Sequence, residues 1–237
     1  MSGFSEIWVY LATSPLTWLG ATLVAFVLAL RIGALLGNSP LANSVLLSAA
    51  MLIPVLLLTG TSYPTYFEGA QFVHFLLGPA TVSLAVPLYR NLAAVKRSIV
   101  PIAVALVAGS VTAMGSALAI AAIFGAPPEV LASIAPKSVS APIAMELAKS
   151  LGGIPSLAAV LVILTGVTGA IIVTPLMNAL GTKNYAARGF AVGVASHGIG
   201  TARALQVNDM AGAFAGIAMA LNGAFTAILL TGFLLLR

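Results

Sequence analysis

The residues able to do chemistry in this chain are few, and they cluster. The run Ala135-Pro136-Lys137-Ser138-Val139-Ser140-Ala141-Pro142-Ile143-Ala144-Met145-Glu146-Leu147-Ala148-Lys149-Ser150 sets prolines, serines, lysines and a glutamate between long apolar stretches. A second cluster, Ser196-His197-Gly198, is followed by Thr201 and Arg203, and a third group reads Gly78-Pro79-Ala80-Thr81. These residue types fit the binding of a small anion. Proline after a small residue frees carbonyls on one side and starts a half-helix on the other. The half-helix N-terminus then offers unpaired N–H groups and the positive end of the helix dipole. Lys137 would supply a counter-charge, and Arg203 a planar fork that matches a carboxylate. Ser138, Ser140, Ser196 and Thr201 would orient the bound group. His197 can relay protons near neutral pH, and Glu146 is a second candidate for proton coupling.

Each of these residues also has a plainer reading. A proline can be only a kink, Lys137 an interfacial lysine that snorkels, His197 a hydrogen-bonded packing residue, and Arg203 an anchor at the membrane surface. His74 stands alone in an apolar run, and Asn222 reads as helix glue. The case for a site rests on the polar interruptions occurring together.

The rest of the chain says where such groups must sit. It has 237 residues, 60% hydrophobic and 6% charged, against roughly 25% charged in ordinary soluble domains. Uncharged stretches cover 7–30, 32–67, 69–89, 98–128, 150–182 and 210–236, each long enough for the ~20 residues that a spanning helix needs. Alternating short strands, the mark of a β-barrel, are absent from the sequence. The expected fold class is therefore all-α and polytopic in a membrane, a single integral membrane domain over 1–237. Irregular backbone and charge at membrane depth are tolerated only where they face protein or a water-filled cavity.

Along the chain, residues 1–15 read as an interfacial helix carrying Trp8 and Tyr10. Ser14-Pro15 reads as an N-cap with proline at the first helical position. Residues 16–65 read as scaffold helices, and 66–237 as a core with broken segments 69–90, 129–150 and 186–206. Thr65-Tyr66-Phe67-Glu68 fits a capping box. Gly189 with Gly193, and Gly212 with Gly216, have the spacing that lets helices approach closely in lipid. A faint repeat has an offset of 57 positions: Pro79 with Pro136, Val82 with Val139, Ser83 with Ser140, Gly109 with Gly166.

Two topologies follow. If 129–150 returns to the side it left, about seven spans result, and Arg31, the Arg90–Arg97 loop, Lys183, Arg188 and Arg237 share one face, cytoplasmic by the positive-inside rule. If it crosses, about eight spans result and Lys183 lands opposite that loop. The first arrangement is preferred.

Enzyme chemistry has no foothold. Two histidines far apart and five scattered acids give no metal-ligand spacing, there is no phosphate-binding glycine loop, and no serine has a base and orienting acid. With no cysteine, disulfides and thiolate chemistry are excluded. The net charge of +5 reads as membrane-surface charge, with no nucleic acid partner. The N-terminus has no basic n-region or clear cleavage site, so a signal peptide is not expected. No cofactor is expected; a coupling proton or sodium ion is left open.

The same residues resemble the LrgB/CidB family of bacterial membrane proteins. The matching motifs are Phe75-Leu76-Leu77-Gly78-Pro79-Ala80-Thr81-Val82, Ala135-Pro136-Lys137-Ser138-Val139 with Pro142-Ile143-Ala144-Met145-Glu146, Gly152-Gly153-Ile154-Pro155-Ser156, and Ala195-Ser196-His197-Gly198-Ile199-Gly200-Thr201-Ala202-Arg203-Ala204. Family members often carry threonine at both positions matching Ser140 and Ala141; here one hydroxyl is kept and one lost. The resemblance implies two accounts of function. One is a holin/antiholin-like regulator of murein hydrolase export and cell lysis, with a small LrgA/CidA-like membrane partner. The other is a carrier of small monocarboxylates, pyruvate in bacteria and glycolate and glycerate for the related plastid translocator. A distant similarity to bile-acid symporters and sodium/proton antiporters implies crossed broken helices and inverted repeats.

Of the two, the polar interruptions at depth favour the carrier, working by alternating access in a bacterial inner membrane. The anion would sit among Pro79, Ala80, Thr81, Lys137, Ser138, Ser140, Pro142, Ser196, His197, Gly198, Thr201 and Arg203. A homodimer is the base-rate expectation.

Overall fold

The computed structural model describes residues 14–37, 39, 42–76, 79, 86, 89 and 92–235. The proposed interfacial helix at 1–15 and most of the 78–81 break lie outside the described residues. Among them the chain is all helix and turn, without a strand. It divides into two compact units, residues 1–83 and 84–237.

The first unit holds α1 (Pro15–Leu35), α2 (Ser44–Thr59) and α3 (Tyr63–Phe75). Ser14 and Pro15 start α1 as N-cap and first helical residue. The start of α3 differs from the capping box expected at Thr65. Ser62 accepts from the Thr65 N–H at 3.4 Å, so the cap lies three residues earlier. Pro64 needs no N–H partner in a first turn, which makes that earlier start favourable. Trp18 is buried edge-on against Tyr66. Gly69 lets α3 press onto the Pro15 carbonyl, where a Cβ would collide.

The second unit contains α4 (Leu92–Arg97), α5 (Ile99–Ile123), α6 (Pro128–Ile134), α7 (Ala141–Ser150), α8 (Pro155–Ala179), α9 (Tyr185–Val207) and α10 (Asp209–Leu235). Four described helices, α1, α5, α8 and α10, are long and apolar enough to cross a membrane.

The shorter elements double back. The arms α6 and α7 are joined by tight turns, with Lys137 N–H donating to Ile134 O and Val139 N–H to Pro136 O. Ala135 packs with Leu147. The open end of this hairpin is closed by Ser133, whose hydroxyl donates to Glu129 O at 2.6 Å and accepts from Ile154 N–H at 2.8 Å.

The long helix α9 is likewise two half-helices. Ser196 (φ −131°, ψ 16°) and His197 (φ 41°, ψ −135°) leave helical geometry. Gly200 lies against Val192, eight residues back and about 12 Å away in a straight helix. Tyr185 and Arg188 of the first half line one small cavity with Arg203 and Val207 of the second.

The broken segment 186–206 therefore turns at its middle and returns. Each arm, at 185–195 and 198–207, is too short to span. With that reversal, α10 begins beside Tyr185 and runs to Leu235 at the opposite end; Arg237 lies outside the described residues.

Small residues make this packing possible. A Cβ on Gly189 would strike the Ala211 backbone, one on Gly193 the Ala215 backbone, and one on Gly212 the Leu205 side chain. In lipid, close helix contact replaces the hydrophobic drive available in water. Phe190, Val194, Phe214 and Ala218 form one core cluster, and Val139, Ala144, Ala148, Ala158 and Val162 another.

Candidate functional site

The two hairpins enter the second unit from opposite ends. Met114, Leu118, Pro128, Glu129, Leu151 and Phe233 share a cavity at one end. Ser98, Pro101, Asn184 and Ala187 share another at the far end. The tips, at 135–140 and 196–197, meet halfway. Their partners there are Ser110, Gly166 and Asn222, near the midpoints of α5, α8 and α10.

The second tip sits in a notch on α8. A Cβ on Gly166 would come within 2.7 Å of His197 Cε1, and one on Gly169 would strike Ser196. Through this gap His197 Nε2 reaches the Val162 carbonyl at 2.9 Å. A carbonyl only accepts, so Nε2 carries a proton and donates this bond. His197 is the only non-glycine residue with positive φ among the described residues. That strain costs of order 1–3 kcal/mol and persists only where surrounding packing imposes it. Thr201 donates to His197 O at 2.8 Å and steadies the first turn of the returning half-helix.

The first tip is less enclosed. Pro136 and Val139 are fully buried, while Lys137 and Ser140 are partly open and Pro142 is exposed. Lys137 Nζ donates to Ser138 Oγ at 3.2 Å. Ser140 is the N-cap of α7 but its hydroxyl makes no capping bond.

Asn222 joins the tips. Its Nδ2 donates to Ser138 O at 3.0 Å and to Val194 O at 3.2 Å, and its Oδ1 accepts from Ser110 Oγ. It is 1% exposed, so every polar group of its side chain is satisfied by protein.

Of the residues singled out from sequence, the structure brings Lys137, Ser138, Ser140, Ser196, His197, Gly198 and Thr201 to the two tips. Pro142 begins α7 on its open face. Glu146 is exposed further along α7. Arg203 lies six residues past the tip, about 9 Å along the half-helix, beside Arg188 at the hairpin's open end. Pro79 belongs to the other unit, and Ala80 and Thr81 lie outside the described residues. Sequence reasoning missed Gly166 and Gly169 as the seat of the tip, Ser110 as a partner, and the Ser138 and Val194 carbonyls. The shared register of Gly109 and Gly166 was the one available signal. The described residues contain no cluster of three metal-ligating side chains.

Comparison with known proteins gives a consistent family. The sequence profile described as the LrgB-like family matches residues 22–236. An uncharacterized protein of Haemophilus influenzae is 36% identical over 208 residues, 88% of this chain and 90% of the relative. The holin-like protein CidB of Staphylococcus epidermidis is 33% identical, covering 84% of this chain and 87% of its own. The holin-like protein CidB of Staphylococcus aureus is 30% identical, covering 84% and 86%. No solved structure matches.

Proposed function

This chain belongs to the LrgB-like family, and from that footing we propose that it is a membrane carrier of small monocarboxylates of the pyruvate, glycolate or glycerate class. One observation carries the reading: two interrupted helical segments, entering from opposite ends, meet at the midpoints of α5, α8 and α10. In this reading both hairpins are re-entrant, and the tips lie near the bilayer midplane. Non-helical backbone is stable at that depth only when buried in protein or lining a wet cavity, and carriers bind their solutes at such places. The returning half-helices start at the tips, so their N-termini and Lys137 present positive potential to a carboxylate. Ser138, Ser140 and Thr201 orient it. Movement of the broken-helix domain against the other spans alternates access, with His197 or Glu146 as the place for a coupled proton. Tyr185 follows Pro128 by 57 positions, the offset seen in the sequence, and the second helix-plus-hairpin is inverted relative to the first; both support an inverted repeat. A bacterial inner membrane, a homodimer and a small LrgA/CidA-like partner complete the proposal.

A second reading is favoured by the comparisons: relatives at 30–33% identity bear the name holin-like protein CidB. On that reading the chain regulates murein hydrolase export and lysis. Purified protein in liposomes separates the two. The carrier reading expects saturable flux of labelled pyruvate or glycolate with larger solutes retained. Release of larger solutes without saturation overturns it in favour of the holin-like reading.

A further inference from the structure

We infer that Asn222 is a positioning residue that couples the two hairpin tips to each other, and through them sets the shape of the carrier site. The inference rests on the carrier reading for its effect on transport, but its geometric half stands alone.

An asparagine in a spanning helix ordinarily bridges to a neighbouring helix. Here the amide does something more specific. Both donors of one Nδ2 are spent on two backbone carbonyls: Ser138 O in the first tip and Val194 O in the last turn before the second break. These carbonyls belong to segments 56 positions apart that enter from opposite ends. The amide oxygen is fixed in turn by Ser110 on α5, which holds the donors towards the carbonyls and prevents the amide from flipping. Gly109, next to Ser110, faces Val194 with a hypothetical Cβ 3.2 Å from its Cγ1, so the same point of α5 both orients the amide and packs on the second hairpin.

The chemistry is hard to replace. A carbonyl left unpaired in a dry interior costs more than an ordinary hydrogen bond returns. Leucine would fill the volume and leave both carbonyls and the Ser110 hydroxyl without their partner. Aspartate would set acceptors against acceptors. Serine would keep one donor for two carbonyls. With the amide in place, displacing one tip strains the bond to the other, so the pair moves together. Without it, each hairpin keeps its own support, His197 on Val162 for the second and Ser133 on Ile154 for the first, and the link between them is lost.

The chain contains no cysteine, so spin labels can be placed at will. Labels at Lys149→Cys and Ala187→Cys, both exposed, report the separation of the two hairpins by pulsed electron resonance in liposomes. Asn222→Leu is expected to broaden this distance distribution and to raise KM for the carried acid by about tenfold or more, while a control pair within one hairpin, Glu129→Cys with Lys149→Cys, stays unchanged. A merely structural role would lower the yield of folded protein and leave both distributions and KM of the folded fraction as in the parent. That result overturns the inference. If Asn222→Leu does not fold, Asn222→Ser takes its place, with the same two outcomes. If the parent protein carries no solute, the carrier reading falls, and the distance distributions still decide the coupling.

Discussion

His197 Nε2 lies 2.9 Å from the carbonyl oxygen of Val162, reached through the gap that Gly166 leaves in α8. The bond requires a proton on Nε2 and locks the hairpin tip onto a spanning helix. It also explains how a residue with positive φ is held at the turn: the ring is pinned, and the backbone conforms.

That arrangement makes the notch testable. Gly166→Ala would set a methyl 2.7 Å from His197 Cε1, and Gly169→Ala would drive one into Ser196. Each is expected to destabilise the folded protein by about 1–3 kcal/mol through overpacking, read as a fall in melting temperature in detergent, and, on the carrier proposal, to abolish saturable uptake. Ala substitution at Gly232, where a Cβ meets nothing within 4 Å, is the control. Equal melting temperatures for all three would sink the account of the tip's seat.

Strain at His197 gives a second comparison. Both His197→Gly and His197→Ala lose the bond to Val162, but only glycine adopts positive φ without steric cost. The glycine variant is therefore expected to be the more stable by about 1 kcal/mol. Indistinguishable unfolding curves would mean that the backbone relaxes at this position.

Lys137 is the cation at the tips. If the chain is the carrier proposed above, Lys137→Ala is expected to lower kcat/KM for pyruvate or glycolate uptake at least about tenfold with folded protein retained, mainly through KM. Uptake as in the parent would remove its electrostatic role.

The hairpins also predict which faces are exposed. Single cysteines at Glu129 and Lys149 are expected to react with a membrane-impermeant thiol reagent from one side, and those at Lys183 and Asp209 from the other. Glu129 and Lys149 labelling from opposite sides would show that the segment between them crosses.

Much of this was legible in the sequence, and the reasons for the remainder are physical. Long uncharged runs mark spanning helices because lipid excludes charge, and Pro136 and Pro142 mark the first interruption because proline cannot continue a helix. Ser196-His197-Gly198 marked the second interruption but not its direction: two residues of altered backbone turn a kink into a reversal, and side-chain types do not distinguish them. The start of α3 was misplaced because Ser62 and Thr65 are both good caps, and Pro64 decides between them. Gly166 and Gly169 look like ordinary small residues in an apolar helix until a neighbour occupies the space. Asn222 was visible as a polar residue, but its partners are main-chain oxygens, which leave no trace in residue identity.

The position of Asn222 bears on how the molecule is made. It sits in α10, downstream of every segment whose carbonyl it satisfies. Once the ribosome has completed α9, the residues of both tips have been made but the amide that joins them has not. The bonds that join the two tips can form only after α10 has been made, so the last helix of the chain completes the centre of this unit.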